Sequence, residues 1–499
     1  MMRKQEARGN RRWVFRLMAV AIALLPFLAL EIGLRLSGEE NASERENPFI
    51  AFTDVHPLFS ANEETGRHEI AANRLDWFYP DSFASSKPEN GFRIFCLGGS
   101  TTAGRPFTIE TAFSSWLRLL LEAADPERTW EVINCGGVSY ASYRILPILE
   151  EILAYEPDLI VVYTGHNEFL EDRSYQNLKN LPPGLLQSYS KLSSLRTVSF
   201  LRRLYLRSTT PPESVAASRS ILPQEVDALL EHRGGLEHYF RDPQWHANVT
   251  RHFSYNLGEM IRLTRKANVP LILANPSSNL RHTPPFKSVH REDLTDEERK
   301  RFAEAWSEGR QLTNFDPENA KKKLEEALAI DDRFALLHYE MAQLLDETGQ
   351  SDEALASYLR AKEEDICPLR APTAIQDAVV KAARTHDLPL IDTKAEFARV
   401  SKDGIAGSDW FLDHVHPSVK GHGFIADLLA QKMAELGYVE PPEDWKKRSN
   451  ALFAAHYKTL TPDYFTAGEL RLQNLRNWAA GRSAAEPPVE PTRKNQQAD

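Results

Sequence analysis

Residues 92–104 read FRIFCLGGSTTAG, and the fold turns on how this stretch is interpreted. The run Phe92-Arg93-Ile94-Phe95-Cys96-Leu97 has the apolar character of a strand about to be buried, and it ends on Gly98 and Gly99. Three hydroxyl residues follow, Ser100, Thr101 and Thr102. In open parallel sheets, ligands bind at the carboxyl ends of strands. A turn from strand into helix can aim a hydroxyl and free backbone N–H groups at one point there. A glycine-softened loop with incidental hydroxyls would look the same locally. The stretch lacks the flanks of G-x-S-x-G and the lysine of a phosphate loop. The presence or absence of partners for Ser100 downstream therefore decides its reading.

Working outward, strands and helices alternate. Apolar spacing predicts a helix over 111–124 and a strand over 130–134 that breaks at Gly136-Gly137. A second amphipathic helix is expected over 140–155, kinked at Pro147. The most strand-like run, Asp158-Leu159-Ile160-Val161-Val162-Tyr163-Thr164, closes on Gly165-His166-Asn167-Glu168. After a stretch without rhythm, the pattern returns as a helix over 249–267, a strand over 270–274 and a fifth strand over 388–392, then a helix over 418–436. This is the pattern of a three-layer α/β/α, flavodoxin-like doubly wound parallel sheet of about five strands. The polar loop Asn275-Pro276-Ser277-Ser278-Asn279 reads as a set of turn formers.

With 499 residues the chain exceeds what one core usually organises. Its formal charge of −10 argues against a nucleic-acid binder, because neutralising phosphates needs a basic face. Cys96, Cys135 and Cys367 are too few and too scattered for a disulfide framework. At the amino terminus, Arg3, Lys4, Arg8, Arg11, Arg12 and Arg16 precede an uncharged apolar run, so residues 13–36 read as a transmembrane signal anchor. The basic flank over 1–12 is then cytoplasmic and everything beyond the anchor extracytoplasmic. A cleaved signal peptide is the rival reading. Residues 37–90 read as tether and strap, with Trp77, Phe78 and Tyr79 clustered.

Residues 296–366 hold an internal repeat. Ala320 and Ala354, Leu324 and Tyr358, and Ala327 and Ala361 are each 34 residues apart. The spacing resembles the tetratricopeptide repeat, whose small residues let paired helices pack closely. His338 stands where that pattern usually has Trp, and Ile366 where it has Pro. Such helices imply a possible protein partner.

Asp413 and His416 stand three apart just before a helix, a spacing that lets a carboxylate orient an imidazole whose other nitrogen takes a proton from a hydroxyl. A D-x-x-H string is common on its own. Here Ser100 follows the first strand, a turn at 136–139 the second, Asn167 the third, and Asp413 and His416 the fifth, so all converge on one sheet edge. Nucleophile, amide donors and base together are the inventory for acyl transfer. His414 lacks the D-x-x-H-P spacing, and His166 reads as a polar wall residue. A zinc site from His414, His416 and His422 needs more assumptions than the serine reading, so neither metal nor cofactor is expected.

In these blocks, Gly98-Gly99-Ser100, the turn after Asn134, Gly165-His166-Asn167-Glu168 and Asp413-His414-Val415-His416-Pro417, the sequence resembles the SGNH (GDSL-type) serine hydrolases. The resemblance implies Ser100 as nucleophile, His416 as base and then acid, and Asp413 as its partner. It implies an oxyanion hole from the backbone N–H of Ser100, a backbone N–H of the second turn and the Asn167 amide. Gly99 replaces the acid of the family signature, and Glu168 replaces the Asp that often follows the Asn. The usual second-turn glycine falls on Ser139, with Gly137 as the alternative donor. The expected organisation is a hydrolase domain in two parts, 91–295 and 367–437, around the helical insertion, with a C-terminal extension over 438–499 that is disordered at its end. The implied activity is that of an ester hydrolase, with a cell-envelope glycan or similar small ester as substrate. An O-acyltransferase of the same fold and a membrane-tethered scaffold using the repeats are the alternatives.

Overall fold

The computed structural model describes residues 57–171, 226–232 and 234–480, together with Leu25, residues 30–34, 52–54, Thr197 and 220–221. Most of the predicted anchor and the final residues 481–499 lie outside them. Among the described residues no helix is long and apolar enough to cross a membrane. Two compact units are distinguished, Met1–His56 with Arg173–Gln224, and Pro57–Asp172 with Glu225–Asp499. In the first, strands Phe52–Asp54 and Ser220–Ile221 pair in parallel, and Thr197 donates its N–H and hydroxyl to Glu31.

The second unit opens with a three-stranded antiparallel sheet, β1 (Phe59–Asn62), β2 (Arg67–Ile70) and β3 (Ser82–Ala84). Residues 37–90 were expected to be tether and strap, so these strands are an addition. They are three or four residues long and mostly half-exposed, too short to show a period of two. Packing defines them instead: the rings of Phe59 and Phe83 meet Phe95 edge-on at 6.2 and 5.3 Å.

The main sheet contains β4 (Gly91–Gly98), β5 (Thr129–Gly136), β6 (Leu159–Tyr163), β7 (Leu271–Ala274) and β8 (Leu390–Ile391), in the order β8-β7-β6-β4-β5. Every pairing is parallel. The order reverses between β5 and β6, on either side of β4, which puts the carboxyl end of β4 at the switch point where open parallel sheets take their ligands.

The strands read as continuous apolar runs because both faces are covered. Ile94, Cys96, Leu159, Val161 and Tyr163 join one apolar cluster with α2 (Phe113–Ala124) and α11 (Val419–Glu435). The intervening Phe95, Leu97, Ile160 and Val162 are equally buried and face the other way. On that side α3 (Ser142–Ile152), α4 (Pro243–Lys266) and α9 (Thr373–Thr385) pack together. The short helix α1 (Ser100–Ala103) sits between β4 and α2. Pro147 lies inside α3, which gives way to a 3₁₀ turn at Leu153–Tyr155.

Between β7 and α9 stand four helices, α5 (Asp296–Leu312), α6 (Pro317–Ile330), α7 (Ala335–Glu347) and α8 (Ser351–Glu363). They pack as two hairpins, α5 with α6 and α7 with α8. Thr295 and Glu298 form a reciprocal capping box at the start of α5, and Asp316 caps α6 with Pro317 in its first turn. Ala320, Ala327, Ala354 and Ala361 are all buried where the helices approach each other. After α10 (Thr393–Val400) and α11, two further helices, α12 (Trp445–Thr459) and α13 (Pro462–Ala479), occupy most of the C-terminal extension.

Candidate active site

The hydroxyl, carboxylate and imidazole picked out in the sequence meet at the carboxyl end of β4. Gly99 precedes α1 in an extended conformation and Ser100 begins it. That position leaves the Ser100 N–H without an intrahelical acceptor. Asn134 fixes the turn from the neighbouring strand, its Nδ2 donating to Thr102 O at 2.7 Å and to Ser114 Oγ at 2.9 Å. At the α1 terminus Gly104 takes φ +93°, a left-handed conformation that suits glycine.

A tight loop delivers the other two groups. Phe411 and Pro417 form an isolated antiparallel bridge, Leu412 N–H donates to His416 O at 2.9 Å, and Ser418 then caps α11. Within the loop Asp413 Oδ1 accepts the N–H groups of Val415 and His416 at 2.9 and 2.8 Å. The other carboxylate oxygen lies 2.7 Å from His416 Nδ1. His416 Nε2 in turn lies 2.8 Å from Ser100 Oγ. Burial opposes charge on Asp413, but the neighbouring His416 and His414 and the hydrogen bonds from His416 outweigh it. The carboxyl is held well below the usual carboxylate range. An ionised Asp413 can only accept, so the proton of the pair sits on His416 Nδ1 and Nε2 is left to accept from Ser100.

The second turn and Asn167 lie beside Ser100. Ser139 adopts φ +63°, a conformation in which few non-glycine residues are comfortable. Gly137 N–H donates to Gly98 O, Val138 N–H to Trp77 O and Tyr140 N–H to Gly137 O, at 3.0, 2.8 and 3.1 Å. Gly137 is therefore already engaged, and the Ser139 N–H is the one in this turn with no acceptor among the described residues. Asn167 Nδ2 spends one hydrogen on Tyr140 O at 3.0 Å and keeps the other. A Cβ added at Gly99 would stand 2.5 Å from that nitrogen, so the amide lies directly against the residue before Ser100.

The other histidines weighed in the sequence, His414, His166 and His422, do not join the relay. His414 lies 3.6 Å from Asp413 and meets Phe286 edge-on, and burial lowers it to about 4. His166 Nδ1 accepts the Ala371 N–H, and burial lowers its pKa to about 3. His422 turns toward α2, where its Nδ1 accepts the Phe113 N–H.

Sequence reasoning passed over two supporting residues. Asn279, read as a turn former, donates its side-chain amide to Asp413 O and its N–H to His414 O, at 3.1 and 2.9 Å. Its place after a strand of the same sheet edge was the available signal. Glu168, read only as a replacement for the Asp that often follows the Asn, accepts the N–H and the hydroxyl of Ser142, both at 2.8 Å. That clasp ties the loop bearing Asn167 to the segment that continues from Ser139.

No protein-family model matches this chain, and no curated protein matches it either. Similar solved structures include the lipase/acylhydrolase from Enterococcus faecalis, 14% identical with a TM-score of 0.32, covering 70% of this chain and 99% of its own. Another is LAE5, an alpha/beta hydrolase enzyme from the metagenome of Lake Arreo, 12% identical with a TM-score of 0.31, covering 70% and 97%. A third is a GDSL-like lipase from Bacteroides thetaiotaomicron, 11% identical with a TM-score of 0.29, covering 72% and 93%.

Burial raises Glu168 to about 7, against the opposing hydrogen bonds from Ser142. An acid raised on folding contributes stability that is fully present below its ordinary value near 4.5 and is lost as pH rises to about 7. Glu168→Gln removes this dependence. The difference in urea unfolding free energy between variant and native protein should therefore move in the variant's favour by roughly 3 kcal/mol from pH 4.5 to 7.5. A difference that stays flat across that range would show that Glu168 ionises normally.

Proposed function

We propose that this chain is a serine hydrolase of ester bonds. The observation that carries the reading is the continuous relay Asp413 Oδ2 to His416 to Ser100 Oγ, at 2.7 and 2.8 Å. Ser100 Oγ attacks the ester carbonyl while its proton passes to His416 Nε2, and Asp413 stabilises the imidazolium that forms. The negative charge that develops on the carbonyl oxygen is received by the N–H groups of Ser100 and Ser139 and the free hydrogen of Asn167. His416 returns the proton to the departing alcohol, which leaves an acyl group on Ser100. Water, activated by the same imidazole, then releases the acid. A sugar hydroxyl in place of that water would make the protein an O-acyltransferase, and the residues named would act identically.

The substrate we favour is an O-acetyl ester of a cell-envelope glycan. This follows from the reading of residues 13–36 as a membrane anchor that holds the enzyme outside the cytoplasm. The hairpins α5–α8 resemble tetratricopeptide pairs in their 34-residue offset and buried alanines, and they offer a surface for a protein partner.

Native protein should react with a fluorophosphonate probe and Ser100→Ala should not. Equal labelling of the two, or none of the native protein, sinks the serine hydrolase reading. Gly99→Ala separates the relay from the oxyanion donors. Its methyl group would stand 2.5 Å from the Asn167 amide nitrogen, at the far end of a side chain, and a tighter-than-usual 3.3 Å from Tyr140 O, so the amide must shift most while the backbone gives by only a few tenths of an ångström. A kcat lower by about a hundredfold on 4-nitrophenyl acetate is expected, the usual consequence of losing one donor. Unchanged kcat would remove Asn167 from the hole. For the anchor, a phosphatase reporter fused after residue 45 should be active, since phosphatase folds only outside the cytoplasm. Silence of that fusion would overturn the topology.

A further inference from the structure

Arg105 follows the nucleophile turn directly. Its N–H donates to Ser100 O at 3.1 Å, which keeps it within one turn of the nucleophile. The side chain is half-buried, and its Nε is buried without a hydrogen-bond partner. Four other arginines also have a buried nitrogen without a partner, and each commits another nitrogen to the protein. Arg74 donates to Tyr140 Oη, and Arg241 pairs with Glu364. Arg291 pairs with Glu298 through Nη2, and Arg370 donates from Nη1 to the carbonyls of Asn279 and Thr283. The Arg105 guanidinium has no such partner among the described residues.

A loose loop would explain an idle side chain, but this loop is held on both sides. Arg471 of α13 donates to Pro106 O at 3.0 Å. Phe107 stacks on Tyr464 at 5.7 Å and fills the space over Gly468. Tyr464 Oη lies 2.8 Å from Thr111 Oγ1. On the inner side the backbone of Ala103 packs against Gly136, where no Cβ would fit. A guanidinium never loses its charge at physiological pH, and partly desolvating it without a counter-ion is unfavourable. Its planar fork matches the oxygens of a carboxylate or phosphate.

We propose that Arg105 recognises an anionic group, a carboxylate or phosphate, on the ester that Ser100 attacks. The inference rests on the serine hydrolase reading and narrows it to esters carried by, or containing, an anion, such as an acylated acidic sugar. Arg105 is a specificity residue and takes no part in the proton relay.

Two ester pairs test this and locate the anion. Methyl 4-nitrophenyl succinate and 4-nitrophenyl hemisuccinate differ by a charge on the acyl side. Methyl 4-acetoxybenzoate and 4-acetoxybenzoate differ by one on the alcohol side. At low salt the native protein should favour the charged member of one pair by about tenfold in kcat/KM, through a lower KM, equivalent to about 1.4 kcal/mol. The ratio should fall to about one in Arg105→Gln and lie between in Arg105→Lys. A native ratio near one in both pairs, or a ratio that survives Arg105→Gln, overturns the proposal. Calorimetry on Ser100→Ala with the amide analogues 4-acetamidobenzoate and succinanilic acid reads the contact without turnover. Adding Arg105→Gln should weaken one of them about tenfold, and equal affinity overturns the anion site whether or not the protein hydrolyses esters.

Discussion

The hydrogen bond between His416 Nε2 and Ser100 Oγ joins residues 316 positions apart, and the rest of the structure can be understood as what makes that distance 2.8 Å. The two groups arrive from opposite ends of the main sheet's chain path. Ser100 rides on the carboxyl end of β4, which is bonded to both neighbours, so its position is fixed by sixteen residues of parallel strand in β5 and β4 together. His416 comes from a loop whose own strand, β8, is only Leu390–Ile391 at the sheet edge. A short edge strand constrains little, so the loop must be positioned by other means.

Those means are polar and converge on Asp413. Its carboxylate closes the loop on itself by taking two backbone N–H groups, and its carbonyl is held by Asn279. Asn279 is held in turn, because Arg370 donates to its carbonyl at 3.3 Å. Arg370 stands just after the helical insertion, and Arg281 just before it pairs with Asp346 of α7 at 2.7 Å. Helix α7 and the segment that follows the insertion thus hold the loop supporting the triad at two points. A buried carboxylate is tolerable here because every oxygen is satisfied and an imidazole stands beside it.

Most of the sheet could be read from the sequence, since strands covered on both faces must be continuously apolar and the helices between them must carry a stripe. Leu159–Tyr163 and Phe113–Ala124 are examples. The site was legible for the same reason: strand ends of one parallel sheet share an edge, so Ser100, Asn167, Asp413 and His416 could be placed together before any distance was known. What stayed hidden has no local signature. The strands β1–β3 exist because Phe59 and Phe83 find Phe95, a contact between segments that no window of sequence contains. Asn279 looks like any turn residue until its partner Asp413, far along the chain, is beside it. The choice of Ser139 over Gly137 depended on which N–H groups were already bonded, and composition does not record that.

The C-terminal helices show how far this dependence reaches. The sequence beyond Tyr438 reads only as an extension, and most residues of α12 and α13 are exposed or half-exposed. Yet Arg471 holds Pro106 O and Arg476 holds Leu412 O, at 3.0 and 2.7 Å. One helix therefore touches the loop that follows the nucleophile and the loop that precedes the acid. Both ties are hydrogen bonds from arginine side chains to backbone carbonyls far away in the chain, and no local hydrophobic pattern records them. Their effect is geometric: two loops brought together by the sheet and the insertion are tied a second time from outside, across the same gap that the Ser100–His416 hydrogen bond spans.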